Sequence, residues 1–173
     1  DGVAACGLCP RACRIPPGDI GACRVRRNEG GDLVADSYGR PAALQVDPIE
    51  KKPLAAFLPG TFTFSVGTFG CNLGCAFCQN HHLSRHGGAL QRAQPIVEPD
   101  RIVAMAKRAD CRSVAFTYNE PTVFIEYAID IARLARAAGL GTVLVSNGFI
   151  SSAARAALYP LIDAANIDVK GFS

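Results

Sequence analysis

The chain has 173 residues, 49% of them hydrophobic, which is apolar material for one good-sized domain with a small appendage. Its formal charge is only +3, and the densest basic cluster, Arg24, Arg26 and Arg27, falls short of the broad basic face that a nucleic-acid partner calls for. With no signal peptide evident and no apolar run of bilayer-spanning length, a membrane role is not expected; the eight cysteines are expected to be reduced, in the cytoplasm, and to serve metal chemistry rather than disulfides.

Residues 1–30 carry Cys6, Cys9, Cys13 and Cys23 among Pro10, Pro16, Pro17, Gly18 and Gly21, with neither helical nor strand periodicity. A segment so rich in turn formers buries little surface on its own, so something else must hold it. Four thiolates suffice for a tetrahedral zinc site or a fully ligated auxiliary iron-sulfur cluster; the alternative is four reduced thiols packed against the main domain. Residues 33–35 and 43–46 flank Gly39, Arg40 and Pro41, which predicts a small antiparallel hairpin. Residues 47–60, with Pro48, Pro53 and Pro59, read as an extended connector.

The pattern then changes. Residues 62–66 alternate Phe and Val with Thr and Ser as a first strand. A helix is predicted over 99–108, with Pro99 and Asp100 suited to its first turn. A second strand covers 113–117. Pro121 opens a helix whose apolar face runs Val123, Phe124, Tyr127, Ile131 and Leu134 and which stops at Gly139. A third strand over 142–145, a short helix capped by Ser151, and a fourth strand over 165–169 complete the series. Strands alternating with helices predict an α/β fold with a parallel sheet, because parallel neighbours need crossover connections.

In β/α folds the chemistry gathers at the C-terminal ends of the strands. Here the first strand leads to Cys71, Cys75 and Cys78, the second to Asn119 and Glu120, the third to Ser146 and Asn147, and the fourth to Asp168 and Lys170. Three cysteines at C-x3-C-x2-C spacing in a glycine-rich loop suit one iron-sulfur cluster. A four-iron cubane normally takes four cysteines, so three leave one iron open to a substrate or cofactor. The plainer alternatives are a zinc site one ligand short, or cysteines that only pack in a core. Zinc fingers, however, set two C-x2-C pairs well apart, and core cysteines do not cluster in such loops. His81, His82 and His86 follow the loop and are expected to surround it or face solvent, while Cys111 is expected to be a small buried apolar residue.

Cys71, Cys75, Phe77 and Cys78 resemble the C-x3-C-x-aromatic-C signature of the radical S-adenosylmethionine (radical SAM) superfamily. A narrower likeness, to the activases of glycyl radical enzymes and to the radical SAM enzyme of the AmmeMemoRadiSam system, is carried by residues 6–10, 37–41, 47–54, 67–71, 118–121 and 146–148. The resemblance implies a partial (β/α) barrel. Since such cores have six β/α units and four strands are counted here, the chain is expected to be a fragment, or the ordered part of a longer protein, that stops after the fourth strand, the alternative being a second chain that covers that edge. Residues 1–60 then form a Cys-rich N-terminal extension, hairpin and connector, and residues 61–173 an incomplete core.

The resemblance further implies that Cys71, Cys75 and Cys78 hold a 4Fe-4S cluster whose open iron takes the amino and carboxylate groups of S-adenosylmethionine, with Phe77 near the adenine. Tyr118, Asn119, Glu120 and Pro121 stand where the superfamily has Gly-Gly-Glu-Pro, whose carboxylate and backbone receive the amino group; both glycines are absent here. Ser146, Asn147 and Gly148 resemble the activases' Thr-Asn-Gly, and Asp168, Val169 and Lys170 their Asp-Leu-Lys, so Asn147, Asp168 and Lys170 are expected to help bind the cofactor. Val145 replaces an acid that contributes to a bound cation in some relatives. The implied activity is reductive cleavage of S-adenosylmethionine to a 5'-deoxyadenosyl radical that abstracts hydrogen. An electron donor such as flavodoxin or ferredoxin is implied, and the substrate is left open among a glycine on a partner protein, a small molecule and an RNA base. The rival expectation is an iron-sulfur or zinc protein that relays electrons or stores metal without catalysis.

Overall fold

The computed structural model describes residues 2–171. Two short ribbons come first: β1 (Ala4–Ala5) pairs antiparallel with β2 (Arg14–Ile15), and β3 (Arg26–Glu29) with β4 (Asp32–Ala35). β5 (Ala43–Pro48) lies antiparallel to β6 (Phe62–Gly67). Two single-turn helices follow, α1 (His81–Ser84) and α2 (Ala89–Arg92), and then α3 (Pro99–Arg108), β7 (Ser113–Phe116), α4 (Ile125–Ala137), β8 (Gly141–Ser146), α5 (Ser152–Leu158) and β9 (Ala164–Ile167). The main sheet runs β5-β6-β7-β8-β9, with β6 to β9 parallel.

This is the expected α/β arrangement, compatible with a partial β/α barrel. The hairpin is made differently from the sequence expectation. Residues 33–35 turn back on β3 across Gly30 and Gly31, whereas β5 leaves them and zips onto β6 from Ala43↔Gly67 to Pro48↔Phe62. The free ladder of β6 is thereby paired, and the sheet draws a strand from before residue 61.

Local chemistry explains the helix boundaries. Pro99 opens α3, where its missing N–H is not needed, and Lys107 and Arg108 sit favourably in the last turn. Residues from Pro121 first form a 3-10 turn, Pro121–Phe124, capped by Glu120, before α4 begins. Ser151 accepts a bond from the Ala154 N–H at the start of α5.

One face of the sheet carries the main core. Phe64, Val66, Val114, Phe116 and Leu144 form a buried cluster with Ile102, Phe124, Tyr127, Ile131 and Leu158 from the helical layer. Phe116 is fully buried, so Phe116→Ala is expected to cost about 3–5 kcal/mol. The other face is thinner: Ala115 and Val143 meet Ile49, with Leu54 and Phe57 against them. β9 pairs only with β8 among the described residues, and Ile167 is 44% exposed. Among the described residues no helix is long and apolar enough to cross a membrane.

Candidate active site

Parallel strands bring their C-terminal ends to one side, and there β6, β7, β8 and β9 border a cavity of about 370 Å³. That is the size of a small-molecule site. The cysteine loop supplies Cys71, Cys75, Phe77 and Cys78; the β7 end supplies Asn119 and Glu120; the β8 end supplies Ser146 and Asn147; and Asp168 and Lys170 close the far side. All ten residues expected around the cofactor therefore line one cavity. Sequence reasoning did not place Asn80, Ser84, Thr117 or Tyr118 there.

Gly70 sets the loop's departure from β6. It lies at φ +85, and a Cβ on it would stand 2.3 Å from the Cys23 carbonyl oxygen, so only glycine fits. The Arg85 guanidinium donates to the carbonyls of Gly74 (3.2 Å) and Cys75 (2.8 Å), clasping the loop. Leu73 N–H approaches Cys71 Sγ at 3.5 Å, and Cys78 Sγ lies 3.3 Å from Ser84 Oγ. Burial first, then the negative charges of Glu120, Cys75 and Cys78, push the Cys71 thiol up to about 11. A metal bound there must displace that proton.

The donor set fits a 4Fe-4S cluster. Three cysteines of one loop line the cavity, and a cubane takes each thiolate on a different iron and leaves its fourth iron open.

Glu120 ties two strand ends together. Its Oε1 accepts from Thr122 N (3.0 Å), Thr122 Oγ1 (2.7 Å) and Ser146 Oγ (2.9 Å), and its Oε2 from Asn147 N (2.8 Å). Burial raises the carboxyl's pKa despite these bonds. With one bond on Oε2, that oxygen keeps acceptor capacity.

The two asparagines act differently. The Asn119 side chain accepts from Thr68 N (3.0 Å) and donates to Gly70 O (2.8 Å) and Thr68 Oγ1 (3.0 Å), so it braces the approach to the cysteine loop. Asn147 Nδ2 donates to Asn72 Oδ1 at 3.0 Å and lies 4.0 Å from Cys71 Sγ. Asn72, unremarked in the sequence, is 1% exposed; its Nδ2 donates to Phe149 O (2.7 Å), and its own carbonyl accepts from Arg11 Nε (2.5 Å). It joins the cysteine loop, the β8 end and the N-terminal segment.

The remaining expected residues sit at the edges. Phe77 is 68% exposed on the rim, and Lys170 pairs with Asp168 at 2.9 Å. His81, His82 and His86 face solvent. Cys6, Cys9, Cys13 and Cys23 line a separate, smaller cavity whose wall includes Asn72.

A β/α protein with three loop cysteines and a buried carboxylate at adjoining strand ends has the framework of a cluster-dependent enzyme. Residues 65–173 match the radical SAM superfamily, and the chain belongs to it. Members of this superfamily are enzymes, and membership implies a 4Fe-4S cluster and S-adenosylmethionine. Over 171 residues, 99% of its length, the chain is 40% identical to an uncharacterized protein of Methanocaldococcus jannaschii, of which the match covers 50%. It is also 34% identical over 84 residues, 49% of this chain, to 6-hydroxynicotinate reductase of Eubacterium barkeri, of which 16% is covered. The chain thus spans about half the length of the first relative and less of the second.

Proposed function

We propose that this chain forms the S-adenosylmethionine-cleaving site of a radical SAM enzyme, with Cys71, Cys75 and Cys78 as the three protein ligands of a 4Fe-4S cluster. One observation carries this: the three cysteines, Phe77, Glu120 and Asn147 all line one cavity at the ends of consecutive parallel strands. When bound, the reduced cluster supplies an electron that splits S-adenosylmethionine into methionine and a 5'-deoxyadenosyl radical for hydrogen abstraction.

The chain's own residues bind and orient. Glu120 Oε2, with acceptor capacity left and its other bonds rigidly made, receives the cofactor's amino group. Phe77 would offer its exposed ring to the adenine, and the Asp168–Lys170 pair, on the same cavity, would receive the methionine carboxylate. Asn147 and Asn72 hold the Cys71 end of the loop in place.

The substrate class we favour is a glycine on a partner protein, from the likeness to the glycyl radical activases and the AmmeMemoRadiSam enzyme. We further propose a cytoplasmic setting and a flavodoxin- or ferredoxin-type donor. An RNA substrate is less favoured because no broad basic face is present in the sequence. Anaerobic reconstitution with iron and sulfide, followed by a dithionite-driven assay for 5'-deoxyadenosine, tests the proposal. Product that disappears in Cys75→Ala supports it; full cleavage activity in that variant overturns the ligand assignment.

A further inference from the structure

We propose that Cys6, Cys9, Cys13 and Cys23 form a second site, a tetrathiolate centre for one divalent cation of the zinc class, which fastens the N-terminal segment against the cluster loop. The four residues are brought together by pairing rather than by sequence adjacency. Cys6 N–H donates to Cys13 O at 2.9 Å as β1 meets β2, and Ala12 N–H donates to Cys9 O at 3.1 Å in the intervening turn. A second turn, with Arg24 N–H on Gly21 O at 2.8 Å, delivers Cys23 to the same cavity.

The cavity has a volume of about 20 Å³. That is room for roughly one water-sized sphere, hence for one ion and not for a four-iron cubane. The sulfurs ring this space without meeting: no three stand at ligand distance from one point. Closing the site calls for the thiols to turn inward by χ1 rotation between staggered rotamers.

Arg26 is the independent observation. It forms part of the cavity wall, is 4% exposed, and has both terminal nitrogens on Glu126 at 2.8 Å. Its Nε finds no acceptor among the described residues. A buried donor left unpaired costs about 1–3 kcal/mol. Four thiolates around one divalent cation carry net negative charge, and they supply the acceptor that this Nε lacks.

The segment also needs a staple. Among described residues before Val25, Ala4 and Ile15 are the only buried hydrophobics, too few to order so much chain without a metal or a disulfide. Its docking contacts run straight to the cluster loop: Arg11 Nε on Asn72 O, and the Cys23 carbonyl packed over Gly70. Leu8 O accepts from Ser151 N at 2.9 Å, tying the segment also to the start of α5.

The test is elemental analysis of the full chain purified anaerobically, as wild type and as the triple variant Cys71→Ala/Cys75→Ala/Cys78→Ala. About one zinc per chain in both, with iron lost from the variant, is the expected result. Replacing zinc by Co(II) in the triple variant should give thiolate-to-cobalt charge-transfer bands and tetrahedral ligand-field bands, which Cys9→Ser and Cys13→Ser abolish. Iron-sulfur absorbance that survives in the triple variant overturns the single-ion assignment. Zinc-free protein that also fails to develop the cobalt bands overturns the site. Both results are read without the two serine variants, so poor folding of those variants does not remove the test.

Discussion

The Tyr118 hydroxyl donates to Asp47 Oδ2 at 2.6 Å, across 71 positions of chain. Tyr118 occupies the left-handed region at φ +73, a conformation that glycine takes freely and a tyrosine takes at a cost. By resemblance it stands where the superfamily's Gly-Gly-Glu-Pro element has its first glycine, and its own backbone is one that glycine adopts freely. The hydroxyl bond to Asp47 and an Asn80 Nδ2 bond to the Tyr118 carbonyl at 2.9 Å hold it there.

Tyr118→Phe removes the Asp47 bond and leaves the strained backbone held by the Asn80 bond alone. Stability in a denaturant titration should fall by about 1–2 kcal/mol, and S-adenosylmethionine affinity should weaken with it. An unchanged midpoint would show that the ring's packing alone holds the conformation.

Asp47 accepts from Lys51 (2.7 Å), Lys52 (2.7 Å), Ser65 (2.8 Å) and Tyr118. Burial by itself would raise its carboxyl, but these bonds outweigh burial and hold it well below its ordinary value of 3.8. A depressed carboxyl contributes stability that is present above the unfolded value and lost as pH falls through the folded one. Thermal stability should therefore drop below about pH 4, and Asp47→Asn should flatten that limb. The same variant strands Lys52, which is 2% exposed, at an expected cost of about 3–5 kcal/mol. Lys51→Ala, at a side chain 64% exposed, should cost no more than about 1 kcal/mol.

Glu120→Gln keeps the shape of the group that joins β7 to β8 but sets an amide where four donors converge. We expect at least tenfold weaker S-adenosylmethionine binding by equilibrium titration, corresponding to about 1.4 kcal/mol, together with a lower melting temperature. Wild-type affinity in a folded Glu120→Gln protein would remove Glu120 from the binding site.

Asn72→Ala cuts side-chain bonds from the cysteine loop to Phe149 and Asn147. The reconstituted cluster should then bleach at least several-fold faster under chelator, followed by its visible absorbance, because each lost buried bond loosens the loop by about 1 kcal/mol. Bleaching at the wild-type rate would confine Asn72 to a packing role.

Local signals in the sequence were enough for the β/α order and the cysteine loop. Period-two and helical patterns, Pro99, Ser151 and Gly139 each act within a few residues, and the α3 boundaries are as expected. The site residues were legible because each follows directly on a strand, and parallel strands deliver their ends to one side. What tertiary structure alone decided depends on partners far along the chain. The pairing of β5 with β6, the left-handed Tyr118 and the bracing by Asn72 and Asn119 are examples, with partners 14 to 77 positions away. A polar side chain carries no periodicity that names its partner; folding chooses it by burying the group where an unmade hydrogen bond would cost more than the ordering of the chain.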